Sequence, residues 1–490
     1  MRLNQNTIHT IDPSVRVPSY NRKELKTGIV HIGVGGFHRA HQAVVIQQLI
    51  EMGGNHNWGI CGVGLREGDR KIADTFEKQD CLYSLITRHP DGQVECDLMA
   101  QMVDFLWAPV DKQAVVNRMA HIETKIVSLT ITEGGYNLRS DGEFDISHPD
   151  IQHEIKNPDD PRTIYGYLFA ALKKRKASGL APFTIMSCDN IQHNGDVIKK
   201  MMCSFASALD PDFADWIAAH VAFPNSMVDR ITPVTTQAEL DYLADHRNLE
   251  DEWPVTCEPF LQWIIEDSFS DGRPDFDKVE GVQFVTDVTP YEKMKIRLLN
   301  AGHSVLGIFG ALMGIETIDA CMENDQLRKV LRKFWDSEAT PMLDEVEGID
   351  LDEYKDSLQE RFGNPNIKDK VSRICSESSA KLPKFLLPTI EENLQKNGNI
   401  EIATLLIAAW CYYSHKQVDK HGQPLEIIDG MKQELQAAAQ QTQGDPSAFL
   451  KIHQVFGELG ENKKFQDLFN NKVFDIYADP DISRHLSESF

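Results

Sequence analysis

Lys295, Asn300 and His303 lie close together in the stretch TPYEKMKIRLLNAGHSVLGIFG, residues 289–310. Lysine and histidine exchange protons and an asparagine amide hydrogen-bonds an oxygen, so the trio suits acid–base work on a polar substrate. The stretch reads as one helix opened by Thr289 and Pro290, with Met294, Leu298, Val305 and Ile308 at its apolar positions. At about 100° per residue, Asn300 falls roughly 140° and His303 roughly 80° round from Lys295. All three can share one side of an element that otherwise asks for burial. A buried lysine is rare without a task; the alternative is a surface lysine with two satisfied polar neighbours at a helix edge.

A second set of candidates sits near the front of the chain. GIVHIGVGGFHRAHQAVVIQQLIEMGG reads as a strand (Gly28–Gly33), a turn through Gly33, Gly35 and Gly36, and a helix from Phe37 to Met52. Such an order suits a dinucleotide: glycines let the backbone approach a pyrophosphate, and a helix N-terminus favours its charge. His38 stands where G-x-G-x-x-G has its third glycine, which implies a wider gap between helix and strand. A tight turn without a ligand is the alternative.

Three further strands run into polar residues. Trp58–Val63 leads to GLREGDRK, where Glu67 or Asp69 would bind the ribose hydroxyls of NAD, whereas Arg66 or Arg70 would accommodate a 2′-phosphate. Ile126–Ile131 leads to Thr132, Glu133 and the Gly134–Gly135 turn, and Phe183–Ser187 leads to Asp189 and Asn190. Open α/β sheets place ligands at strand ends, although Asp, Asn and Gly also favour turns for their own sake.

The 490 residues are 41% hydrophobic and 25% charged, a globular balance in a chain too long for one core. A net charge of −24, from 50 basic and 74 acidic side chains, argues against nucleic acid or an anionic membrane as main partner. Nine scattered cysteines without a C-x-x-C suit a reduced intracellular chain better than a disulfide scaffold or zinc module. The first residues lack the apolar run of a signal peptide, and the longest apolar segments are shorter than a bilayer span. A soluble cytoplasmic protein is expected.

Strand signals stop near 285, so 1–285 is expected to form an α/β domain and 286–490 a helical one. Residues 1–27 read as an irregular lead-in, and alternation over 81–110 suggests a β insertion. In the second half helices are expected at 324–336, 352–362, 385–395, 401–415, 430–441, 447–457 and 463–470. The chain has no G-x-S-x-G, G-x-x-x-x-G-K-[ST] or H-E-x-x-H. His38 and His41 share a helical spacing but have no carboxylate or cysteine at matching distance for a metal.

Taken together, IGVGGFHRAHQ (32–42), ICGVGLR (60–66), IVSLTITEGGY (126–136), MSCDN (186–190), FPNSMVDRITP (223–233), CEPFLQWIIED (257–267), MKIRLLNAGHS (294–304) and KLPKFLLPTI (381–390) resemble the polyol-specific long-chain dehydrogenases/reductases. The resemblance implies an N-terminal Rossmann-type NAD-binding domain with extra β structure and a mostly α-helical, 6-phosphogluconate-dehydrogenase-like C-terminal domain. It implies metal-independent oxidation of a secondary alcohol, D-mannitol to D-fructose, with NAD. Fructuronate reductase and D-arabinitol 4-dehydrogenase chemistry are the rivals. In the implied site Lys295 is the general base, and Asn190 and Asn300 donate to the reacting oxygen. His303, Arg373 and Lys381 bind substrate hydroxyls, and Glu133 relays a proton or positions water. Gly33, Gly35, Gly36, Phe37, Arg66, Asp69 and Asp229 hold the cofactor, with Asp69 governing its choice. A lysine amine, pKa about 10.4 in water, acts as a base near neutrality only where its surroundings disfavour the ammonium. The implied partner is a small polyol or ketose, and the implied state a monomer or weak oligomer.

Overall fold

The structure, a computed structural model, describes residues 2–139 and 141–488. It divides into two compact units, Met1–Thr289 and Pro290–Phe490.

The first unit opens with β1 (Thr27–Ile32) and β2 (Gly59–Gly64), each buried along its whole length. Two strands, β3 (Tyr83–Arg88) and β4 (Val94–Met99), pair antiparallel as a hairpin. β5 (Met102–Trp107), β6 (Ile126–Leu129) and β7 (Thr184–Ser187) join the first two in a five-stranded parallel sheet of order β5-β2-β1-β6-β7. Continuous apolar runs are what a parallel sheet covered on both faces requires. The two faces separate by alternation. Val30, Ile32, Cys61, Val63, Val127 and Leu129 pack into one core with the Lys112–Ala120, Ile164–Ala177 and Asn194–Leu209 helices. Ile29, Ile60 and Ile126 pack into the other, with the Gln42–Glu51 helix.

The β insertion is smaller than the alternating stretch suggests. β3 and β4 form a separate sheet with β9 (Val255–Cys257), while β5 leaves them to become the edge of the main sheet. The run over 93–105 therefore belongs to two sheets, divided at Ala100–Gln101, and Met102 is buried in the main core. A third sheet joins β8 (Ser226–Asp229), β10 (Gln262–Glu266) and β11 (Val282–Val285). The N-terminal lead-in is a working part of the core: Leu3, Ile11 and Val15 cover Leu82, Ile86 and Leu98 of the hairpin.

The helix expected from Phe37 to Met52 is two helices, Gly36–Ala40 and Gln42–Glu51, separated at His41 (φ −124°, ψ −90°). His41 is drawn out of the helical path by the hydrogen bond of its Nε2 to the Gln262 carbonyl, 2.9 Å.

The second unit is helical among its described residues. Its Ala301–Leu312 and Glu401–Lys416 helices are buried along most of their length. The last long helix, Lys463–Ala478, runs past the expected end at 470 because Val473 and Ile476 continue its buried stripe. The expected 447–457 helix is instead a 3₁₀ turn, Ala448–Lys451, followed by one short helix, His453–Phe456. The short helices Ile318–Glu323, Val371–Cys375, Ser378–Phe385 and Ile482–Glu488 fall outside the expected set.

Candidate functional site

Gly33 follows β1 at φ +88°, and a Cβ there would lie 2.1 Å from the Thr130 carbonyl oxygen, so only glycine fits. Thr130 Oγ1 donates to Gly33 O at 2.8 Å, and His31 touches Thr130 Oγ1 at 2.9 Å and Ser128 Oγ at 2.8 Å. These bonds bind the ends of β1 and β6 together where the strand order turns back, the usual crevice for a ligand in such a sheet. Burial holds His31 neutral, its pKa pushed down to about 3. His38 fills the place of the missing glycine by stacking on His31, rings 3.4 Å apart and 9° from parallel. The expected wide gap is therefore a filled one. Phe37 stacks on His41 at 4.9 Å.

Gly35 precedes the short helix in extended conformation. A Cβ on Gly35 or Gly36 would meet nothing nearer than 3.8 Å. Asp69 closes the turn after β2. A Cβ on Gly64 would come within 2.7 Å of Asp69 Cβ, so the acid sits over the last residue of that strand. Its carboxylate accepts the Arg66 N–H at 2.9 Å. Arg66 is exposed, its carbonyl accepts Trp107 Nε1–H at 3.0 Å, and Arg70 lies over the Trp107 ring. A positive-φ glycine, two unobstructed glycine positions and an acid at the end of β2 are a donor and acceptor set that fits a dinucleotide.

The other strand ends are joined by Asp189. Its carboxylate accepts the N–H groups of Ile131 (3.0 Å) and Thr132 (2.8 Å) and the hydroxyl of Tyr136 (2.7 Å). Thr132 is held at φ +59°, a left-handed conformation costly for a β-branched residue. Glu133 follows Thr132 and Asn190 follows Asp189, both exposed, so one buried carboxyl fixes the backbone beside both. Asp229 lies apart from the main sheet, buried at the end of β8 and paired with Gln262. β8 is in turn tied to β7 by Ser226 Oγ–H donating to Ser187 O at 2.8 Å.

In the second unit the stretch carrying Lys295 departs from a plain α-helix. Thr289–Lys295 and Ala301–Leu312 are α-helical, but Ile296–Asn300 is a π-turn. Thr289 lies inside the first turn, not at the cap: Asp287 Oδ1 accepts its N–H at 2.8 Å. A π-turn advances less per residue than an α-helix, so Asn300 comes round closer to Lys295 than the expected roughly 140°. Trp335 Nε1–H donates to Leu298 O within the turn, 2.9 Å. Lys295 and His303 are buried, and His303 stacks on Phe362 at 4.1 Å. Asn300 Oδ1 is buried without a hydrogen-bond partner among the described residues, an acceptor left for something outside the protein.

Arg373 is exposed and Lys381 half-buried. Arg373 forks onto Asp369, and Lys381 Nζ donates to the carbonyls of Ile374 (3.2 Å) and Arg373 (3.4 Å). Burial, with the neighbouring Arg373, lowers the Lys381 pKa. Two residues were missed from the sequence although spacing marks both: Glu292, buried one turn before Lys295, and Asp369, four residues before Arg373. Trp335 left no such signal, lying far along the chain from Leu298.

The mannitol dehydrogenase Rossmann-domain family matches residues 27–278, and the mannitol dehydrogenase C-terminal-domain family matches residues 287–477. A mannitol 2-dehydrogenase of Aspergillus fumigatus is 45% identical over 473 residues, 95% of this chain and 94% of the relative. One from Pyricularia oryzae is 43% identical over 96% of this chain and 94% of its own. The solved Pseudomonas fluorescens mannitol 2-dehydrogenase, a ternary complex with NAD and D-mannitol, superposes with a TM-score of 0.90 at 41% identity, covering 100% of this chain and 99% of its own. A substrate-free D-sorbitol dehydrogenase also superposes at 0.90, with 34% identity and 99% of each chain covered. With both of its domains matched, the chain belongs to the mannitol dehydrogenase family.

Proposed function

We propose that this protein interconverts D-mannitol and D-fructose with NAD, using Lys295 as the base and no metal. The observation that carries the reading is the π-turned helix: a buried lysine, an asparagine with an unclaimed buried acceptor and a buried histidine within one element, in a chain of this family. NAD, when bound, accepts the hydride from carbon 2 of the polyol. Gly33, Gly35, Gly36 and Phe37 hold its pyrophosphate end, Asp69 its ribose hydroxyls, and Arg66 and Asp229 complete the contacts. Lys295 Nζ takes the proton of the carbon-2 hydroxyl. Asn190 and Asn300 donate their Nδ2–H groups to that oxygen as its bond order changes, the service an oxyanion hole performs, and Asn300 Oδ1 is left to accept a neighbouring substrate hydroxyl. His303, Arg373 and Lys381 hydrogen-bond the remaining hydroxyls, and Glu133 passes the proton toward water.

The enzyme works in the cytoplasm as a monomer or weak oligomer. No helix among the described residues is long and apolar enough to cross a membrane. The test is Lys295→Ala: mannitol oxidation is abolished while NAD binding, followed calorimetrically, is retained. Asn300→Ala is expected to lower turnover on the order of 10²-fold. Wild-type turnover in Lys295→Ala would refute the assignment.

A further inference from the structure

We infer that Asp369 is a specificity-determining residue: it occupies Arg373 so that this end of the site takes hydroxyls and turns away sugar carboxylates. The inference rests on the reading above, in which Arg373 and Lys381 meet the substrate.

Asp369 lies four residues before Arg373, just ahead of the Val371–Cys375 helix. Its Oδ1 accepts Arg373 Nε–H at 2.6 Å and its Oδ2 accepts an Nη2–H. This is the two-pronged geometry in which guanidinium and carboxylate bind each other most strongly. The anion is the inner partner: the Asp369 side chain is 6% exposed and that of Arg373 51%. Asp369 is also fixed through its backbone. Its carbonyl accepts Ile318 N–H at 2.9 Å, and Val371 N–H donates to Glu316 O at 2.9 Å. Behind Arg373, a Cβ on Gly307 would lie 2.8 Å from Ile374 Cγ2, so the Val371–Cys375 turn is seated directly on the Ala301–Leu312 helix.

Lys381 is engaged in parallel. Its ammonium donates to the carbonyls of Ile374 and Arg373, at the end of the Val371–Cys375 helix, where carbonyl dipoles favour a cation. The Arg373 charge is therefore compensated by Asp369, while Lys381 has two of its three N–H donors engaged by carbonyls. A carboxylate brought to Arg373 would share the guanidinium with the buried Asp369 anion, and like charges across one cation disfavour each other. A hydroxyl carries no such penalty. Arginine has five N–H donors, of which Asp369 takes two, and the rest can serve neutral oxygens.

The test compares wild type, Asp369→Asn and Asp369→Glu in the NADH-dependent reduction of D-fructose and D-fructuronate. In Asp369→Asn the ratio of kcat/KM for fructuronate over fructose is expected to rise by about tenfold or more, mainly through KM, because the freed guanidinium gains a charged partner. Asp369→Glu keeps the charge and the wild-type ratio. A folded Asp369→Asn that binds NADH and loses both activities equally, or keeps the wild-type ratio, overturns the inference. A measurement independent of the variants is inhibition of wild-type fructose reduction by D-mannonate and D-mannitol. The acid is expected to inhibit no better than the polyol, and tighter inhibition by the acid overturns the inference. Wild type inert toward D-fructose would overturn the functional reading instead.

Discussion

The indole Nε1–H of Trp335 donates to the carbonyl oxygen of Leu298 at 2.9 Å, inside the π-turn that separates Lys295 from Ala301. Gly302 makes room for that indole: a Cβ there would lie 2.9 Å from Trp335 Nε1 and 3.1 Å from Cζ2. Two effects oppose each other in Gly302→Ala. Helix propensity favours alanine by about 1 kcal/mol, whereas overpacking a filled site costs about 1–3 kcal/mol. The variant is expected to melt lower and turn over more slowly, because a displaced Trp335 releases the turn that sets Asn300 relative to Lys295. A raised Tm with unchanged kcat would show that the turn does not depend on the indole.

Asp189 makes a second prediction. It holds Ile131, Thr132 and Tyr136 with one buried carboxyl. Asp189→Asn replaces an acceptor-only group with one that brings its own donors. Hydrogen bonds to a charged group are worth about 1.5–3 kcal/mol each, so a loss of stability of that size is expected in urea titrations. Thr132 would relax from its left-handed conformation, and kcat for fructose reduction would fall with it. Unchanged stability and kcat would remove Asp189 from the account.

Glu338 gives a pH dependence. It is buried and accepts the N–H groups of Ile402 (2.6 Å) and Ala403 (2.9 Å), at the start of the Glu401–Lys416 helix. Burial, the largest influence, pushes its carboxyl up to about 7 from an ordinary 4.5. With the folded pKa above the unfolded one, folding favours the protonated form. The contribution is complete below about pH 4.5 and is lost as pH rises through about 7. At about 1.4 kcal/mol per pKa unit the loss amounts to a few kcal/mol. Urea midpoints between pH 5 and 8 should fall less steeply for Glu338→Gln than for wild type. Parallel slopes would contradict the assignment.

Cofactor choice follows from Asp69. Its carboxylate stands over the end of β2 with Arg66 and Arg70 beside it. Asp69→Ser removes the charge that would repel a 2′-phosphate and leaves both arginines in place. The ratio of kcat/KM for NADPH over NADH is expected to rise by about tenfold or more. An unchanged ratio would move the selector elsewhere.

Most of this architecture was legible in the sequence. The strands and strand-end polar residues stand out because an all-buried parallel sheet writes continuous apolar runs. What stayed hidden was set by partners remote along the chain. The break at His41 depends on the Gln262 carbonyl. The π-turn at Ile296–Asn300 has Trp335 as a partner, and the division of 93–105 between two sheets depends on β9 and β2. His38 illustrates the limit well: the missing glycine is plain, but the stacking of His38 on the His31 ring of β1, across the turn, is not.

The central claim is tested most directly by initial rates of NADH-dependent reduction of D-fructose, D-fructuronate and D-tagaturonate side by side, repeated with NADPH. The account predicts a strong preference for D-fructose with NADH and loss of that activity in Lys295→Ala. A preference for either uronate would contradict it, and would recast Arg373 and Lys381 as carboxylate anchors.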